Sequence, residues 1–183
     1  GFFAAVIWDP GGGRTAIRIS PMVVTWDCHD SDPVSLFSCL ASQLGKRNIA
    51  FLDMIERNLV SVAVSQNDNT AESESGVRAI RSAYTGAYVA NGAYHRDSAI
   101  AAIESGYADA VSFGREYIST PDLAQRLQAG AALNPPAGRV AFYGGAGHAG
   151  YIDFPSPVSY THIRAHETEL HIVCRLLLEH KKY

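Results

Sequence analysis

Short apolar runs alternate along this chain with stretches whose apolar residues recur three and four positions apart, the signature of strands followed by helices. Thr15-Ala16-Ile17-Arg18-Ile19-Ser20 reads as a strand ended by Pro21. Asp32-Pro33 reads as a helix N-cap and first helical residue, and Leu36, Phe37, Leu40 and Leu44 then predict one apolar helical face. Ile49 to Ile55 is a nearly continuous apolar run of the kind found in parallel sheets. Residues 66 to 75 are polar and read as a surface loop, while Val77, Ile80 and Ala83 predict a helix leading to a strand over 87–90. Asp97 is expected to cap a helix carrying Ile100, Ala101 and Ile103, with Gly106 as its stop. A strand over 109–113 follows, running straight into Gly114-Arg115. Thr120-Pro121-Asp122 then opens a helix with Leu123 and Leu127 inward and Gly130 at its end. Four strand–helix units in series favour a parallel α/β sheet or barrel.

Bulk properties narrow the function classes. At 183 residues, 47% hydrophobic and 18% charged, the chain is long enough for one domain with a sizeable core. A net charge of -3 gives no electrostatic case for nucleic acid or an anionic membrane. No apolar run is long enough to span a bilayer. Cys28, Cys39 and Cys174 are too scattered for a disulfide framework, so reduced thiols and a cytoplasmic location are expected. The chain opens at Gly1 without Met, inside what reads as an apolar helix (Phe2, Phe3, Val6, Ile7), which suggests a fragment or a processed or tagged product. The oligomeric state stays open.

Two strand ends carry the candidate chemistry. Tyr88-Val89-Ala90-Asn91 ends in the turn Gly92-Ala93, and the next strand ends at Gly114-Arg115. Bare backbone N–H groups at one strand end and a fixed guanidinium at the next are how an α/β protein holds a phosphate. A β/α barrel commonly does so in the loops after its last two strands. Taken singly, each glycine is also what a tight turn needs; two such turns after consecutive strands favour the phosphate. Arg18, with Ile17 and Ile19 on the opposite face, is either a strand-end cation reaching to solvent or paired with a local acid, or one facing a ligand that gains negative charge. Phe142 and Tyr143 are core aromatics or the walls of a planar-cofactor site.

Other motifs fail on context. Gly145-Ala146-Gly147-His148-Ala149-Gly150 fits a dinucleotide fingerprint but no helix start follows it, and Gly11-Gly12-Gly13-Arg14 lacks the lysine and spacing of a P-loop. His162, His166 and His171 do not make the H-E-x-x-H spacing, so no metal site is assigned. His29 beside Cys28 is not read as a nucleophile pair.

The segments Arg14 to Pro21, Ala50-Phe51-Leu52 with Glu56, and Ala90-Asn91-Gly92-Ala93-Tyr94 resemble the Old Yellow Enzyme family of FMN-dependent NADH:flavin oxidoreductases, or ene-reductases. Ala108 to Val111 with Phe113-Gly114-Arg115, Pro121-Asp122-Leu123, Leu133-Asn134-Pro135, Phe142-Tyr143-Gly144-Gly145 and Gly150 to Pro155 continue the match to residue 156. The resemblance implies the C-terminal half of a (β/α)8 TIM barrel, about four strand–helix units, with FMN at the carboxyl-terminal mouth. It implies that Arg18 faces the flavin pyrimidine edge and that Gly92, Ala93, Gly114 and Arg115 hold the FMN phosphate. Phe142 is placed by the flavin and Tyr143 at the substrate mouth. The implied reaction takes hydride from NAD(P)H to the flavin and on to the β-carbon of an activated alkene such as an enone.

This chain departs from the family pattern in several ways. The family's substrate-gripping His-Asn or His-His pair and its proton-donating Tyr lie upstream of the Arg18 strand, so no catalytic residue is assigned here and the fragment is expected to be inactive alone. Family members often have Leu-His where Leu52-Asp53 stands, and Asn-Pro-Asp-Leu where Thr120 to Leu123 stands. Residues 157–183 leave the family and resemble the translation of a sequencing adapter; four of the seven histidines fall there. The alternative reading is a non-catalytic flavin- or phosphate-binding half-barrel module.

Overall fold

The computed structural model describes residues 12–22, 30–56, 71–138 and 154–156. It divides into two compact units, Gly1–Ser112 and Phe113–Tyr183.

The first unit is a parallel sheet whose strands β1 (Ala16–Ile19), β2 (Phe51–Ile55), β3 (Tyr88–Asn91) and β4 (Ala110–Ser112) lie side by side in chain order. Parallel neighbours need a crossover. Helix α1 (Pro33–Gly45) lies between β1 and β2 in sequence, α2 (Ala71–Ser82) between β2 and β3, and α3 (Arg96–Glu104) between β3 and β4. The chain is therefore α/β, with the strand–helix alternation of a TIM barrel over about four units. Ala16 pairs with Phe51, Leu52 with Tyr88 and Val89 with Ala110.

That register sorts side chains onto two faces. Ile17, Ile19, Leu52, Met54, Tyr88, Ala90 and Val111 share one face, and all but Ile17 are buried. Ala41 and Leu44 of α1, Val77 and Ile80 of α2, and Ala99 and Ala102 of α3 are buried as well and complete this core. The other face carries Ala16, Arg18, Phe51, Asp53, Ile55, Val89, Asn91, Ala110 and Ser112, none of them buried. Helices α1 and α2 approach closely because α2 has Gly76, where a Cβ would come 2.8 Å from Val34 Cγ2.

Local signals in the sequence act as expected at several points. Asp32 caps α1 through a bond from the Ser35 N–H, and Pro33 is its first residue. Gly130 closes the last helix in the left-handed conformation, φ 64°. Other expectations need correction. Helix α2 begins at Ala71, so residues 71 to 75 are helical: Ala71, Glu72 and Glu74 are adequate helix formers, and polarity alone does not make a loop. The cap of α3 is His95, whose Nδ1 accepts from the Ser98 N–H while Ser98 Oγ accepts from the His95 N–H; Asp97 sits in the first turn. In α1 Leu36 is 49% exposed and the buried side turns on Ala41 and Leu44. Residues 115–119 form a short helix, α4 (Arg115–Ser119), which the sequence pattern did not suggest.

The second unit contains α4 and α5 (Leu123–Ala129), and a buried guanidinium on α5 together with Asn134 ties α5, the segment after it and the end of α4 into one network. Arg126 Nε donates to Asp122 Oδ1 at 2.9 Å, with Asp122 only 1% exposed. Arg126 also donates to the carbonyls of Ala132 and Pro155 and to Asn134 Oδ1, and Asn134 Nδ2 donates to the Ser119 and Pro155 carbonyls. Removing one partner of a buried pair leaves the other uncompensated. Arg126→Met is therefore expected to destabilise the second unit by about 3–5 kcal/mol in urea unfolding, with Arg126→Met/Asp122→Asn recovering part of the loss. A single variant within about 0.5 kcal/mol of the parent would show that the network is not what holds this unit.

Candidate functional site

The open face of the sheet rises in levels toward the carboxyl ends of the strands. At the first level Arg18 on β1 stands directly opposite Asp53 on β2, and Arg18 Nε lies 3.4 Å from Asp53 Oδ2. The Arg18 side chain is 55% exposed and that of Asp53 15%. Burial raises the Asp53 carboxyl above its ordinary value, and the Arg18 guanidinium opposes that rise. Asp53 Oδ1 is buried with no hydrogen-bond partner among the described residues.

One level higher, Asn91 at the end of β3 pairs with Ser112 at the end of β4, and its Nδ2 donates to Ser112 Oγ at 2.7 Å and to the Ser112 carbonyl at 3.1 Å. The chain then turns. Gly92, buried, has φ 125°, a conformation that side-chain-bearing residues rarely adopt, and Ala93 follows in the left-handed region at φ 49°. Gly92 lies three residues beyond the Arg18 level and two strands across, about 10 Å in each direction. The structure thus brings Arg18 and the Gly92-Ala93 turn to one end of one sheet.

In the second unit Gly114 and Arg115 open α4, and Gly114 caps it with no side-chain bond. A Cβ at Gly114 would meet nothing within 4 Å, and its φ of -112° suits any residue, so neither packing nor backbone conformation calls for glycine there. Phe142 and Tyr143 lie outside the described residues, as do His162 and His166. Among the described residues no group of three or more His, Cys, Asp and Glu could hold a metal ion, and no helix is long and apolar enough to cross a membrane.

Reading the sequence by motif missed two features. One is Asp53 as the partner of Arg18, a contact set by cross-strand register. The other is a carboxylate held by three phenols on the helix-covered side. Glu56, just past β2, accepts from Tyr88 and Tyr107 at 2.6 Å each through Oε1 and from Tyr94 at 2.7 Å through Oε2. The Tyr88 and Tyr107 rings meet edge to face, and the Arg81 guanidinium lies 4.6 Å over the Tyr88 ring. The cluster borders a cavity of about 450 Å³ between α2 and α3, lined also by Ser73, Val77, Arg78 and Ser98. Three donors already saturate most of that carboxylate, so it works as a tie between β2, β3 and the segment entering β4.

Burial first, and then the bonded Glu56 carboxylate, push the Tyr88 and Tyr107 phenols well above the usual phenol range. Raised folded-state values mean that the folded chain keeps protons which the unfolded chain releases near pH 10. The resulting stabilisation is complete below about pH 10 and is lost as pH rises above it. Ultraviolet titration should show both phenols resisting ionisation until the chain unfolds. Tyr88→Phe and Tyr107→Phe should each cost about 1.5–3 kcal/mol at neutral pH, the worth of a hydrogen bond to a charged group. Ordinary titration near pH 10 in the folded chain would contradict the cluster.

The sequence model of the NADH:flavin oxidoreductase / NADH oxidase family matches residues 4–134. The 12-oxophytodienoate reductase 7 of Oryza sativa subsp. japonica is 35% identical over 161 residues, which cover 82% of this chain and 40% of that protein. The solved morphinone reductase is 32% identical with a TM-score of 0.71, over 89% of this chain and 41% of its own. The old yellow enzyme from Trypanosoma cruzi is 27% identical with a TM-score of 0.70, over 84% and 38%. The chain spans about two fifths of the length of the relatives it matches.

Proposed function

This chain belongs to the NADH:flavin oxidoreductase / NADH oxidase family, and from that premise we propose that it binds FMN as part of an NAD(P)H-dependent oxidoreductase acting on activated alkenes of the enone type. The observation that carries the reading is the meeting of a half-exposed guanidinium, Arg18, and a two-residue positive-φ turn, Gly92-Ala93, at the carboxyl end of one parallel sheet. A planar, polar ring edge suits the first and a phosphate suits the second.

The residues present fit the cofactor. Gly92 holds a positive-φ backbone conformation that side-chain-bearing residues rarely adopt, and Gly114 leaves open space where a Cβ would stand. Both are properties of backbone that a phosphate can approach closely. In this reading Gly92, Ala93 and Gly114 offer N–H groups to the phosphate and Arg115 offers its guanidinium, while Arg18 places positive charge at the pyrimidine edge. Bound FMN supplies hydride transfer from NAD(P)H to the alkene β-carbon. The part that falls to this chain is binding and charge: fixing the phosphate, orienting the ring, and holding a cation where negative charge develops. Phe142 beside the cofactor and Tyr143 at the substrate complete the proposed set. The groups that would grip a substrate carbonyl and protonate the product have no counterpart proposed among these residues.

Titration of the chain with FMN, followed by flavin fluorescence, should show saturable binding. Arg115→Ala should weaken FMN about 10- to 100-fold, the loss of a charge-assisted contact, and leave riboflavin, which has no phosphate, nearly unchanged. Equal weakening of both ligands would remove Arg115 from the phosphate, and no saturable binding by the parent would sink the flavin reading.

A further inference from the structure

We propose that Asp53 is a positioning residue that sets both the direction and the effective charge of Arg18 toward the flavin ring. The inference rests on the flavin reading above and adds to it a residue that the motif match does not mark. Register places Asp53 directly across from Arg18 on the neighbouring strand, on the open face and at the same level. Its Oδ2 meets Nε, the inner nitrogen of the guanidinium, at 3.4 Å. A guanidinium held at Nε still has the two terminal nitrogens of its planar fork to present outward. Among the described residues no hydrogen bond or ion pair engages those terminal nitrogens, and the side chain is more than half exposed.

The pair is also unequal in a way that matters for charge. Asp53 is the less exposed partner, at 15% against 55%, and its Oδ1 has no hydrogen-bond partner among the described residues, so Arg18 is the cation set against its charge there. A carboxylate this close offsets part of the guanidinium field at any ring edge beyond it. Reduction makes that edge more negative, so it draws more from Arg18 than the oxidised ring does, and Asp53 lowers that gain. The polar side chains at the next level, Asn91 and Ser112, are neutral and bonded to each other, and Ile55 beside them carries no charge. On the described open face the balance at this level is therefore between Arg18 and Asp53.

The test compares the dissociation constants of oxidised and reduced FMN, and hence the midpoint potential of the bound flavin, in the parent chain, Asp53→Asn, Asp53→Ser and Asp53→Glu at about pH 8. Either neutral variant should tighten reduced FMN relative to oxidised FMN by about tenfold, a rise of about 30 mV for a two-electron couple. The charge-retaining Asp53→Glu should stay nearer the parent. Riboflavin should show the same shift, because the effect acts on the ring and not on the phosphate. A ratio unchanged in both neutral variants, or a shift confined to FMN, overturns the role of Asp53 while leaving the flavin reading intact. A parent chain that binds neither flavin overturns both.

Discussion

Parallel pairing in one register governs nearly everything else in the first unit. Once Ala16 is set opposite Phe51 and Val89 opposite Ala110, the pleat leaves no freedom about which side chains face the helices. Leu52, Met54, Tyr88, Ala90 and Val111 go into the core together, and Arg18, Asp53, Asn91 and Ser112 go to the open face together. A slip of one residue on β2 would bury Asp53 among Leu and Ile side chains and expose Met54. The cost of an unpaired buried carboxylate is enough to forbid it. The site is thus a by-product of the same constraint that forms the core.

The two faces treat charge in opposite ways. On the helix-covered side Glu56 is surrounded by three phenols, each short and each donating, and the carboxylate has almost no capacity left. Such an arrangement binds β2, β3 and the approach to β4 into one body and suppresses ionisation of the phenols. On the open face the carboxylate of Asp53 has one contact, longer than a good hydrogen bond, and an oxygen with none. Glu56 is thus spent on holding structure, whereas Asp53 keeps an oxygen with no partner on the face where a ligand would lie. Arg126 in the second unit belongs with Glu56, because its donors are spent on Asp122, Ala132, Asn134 and Pro155.

How much of this was legible follows from the range of each interaction. Asp32-Pro33 and Gly130 could be read directly, because capping is decided within four residues. The strand–helix alternation could be read too, since period two and period 3.6 differ over any ten residues. The cap of α3 was misread because His95 carries a ring acceptor that competes with Asp97, and only the backbone shows which residue stands outside the helix. Leu36 was misplaced inward because four apolar positions define a face but not which edge of it meets the core. The Gly92-Ala93 turn was visible as a glycine after a strand, but its positive φ at both residues was not. The phenol ring around Glu56 was invisible: its partners lie 32, 38 and 51 residues away along the chain, and no local pattern couples them. Asp53 was visible only as a departure from Leu-His, and register alone turned it into the neighbour of Arg18.

Exposure sets the terms on which Arg18 can act. A guanidinium with more than half its surface in water is screened, and its pairing with Asp53 contributes little to stability there. The same pair beneath a planar ligand would lose that water, and the interaction of either charge with the ligand would grow as the local dielectric falls. Weak pairing in the open state is then an advantage, because little has to be broken before the ring edge is met. The carboxylate, at 15% exposure, has little left to desolvate, whereas the guanidinium, at 55%, is the group left to be covered. An open-faced cation backed by a less exposed anion can therefore respond to a change in ligand charge without any rearrangement of the strands that carry it.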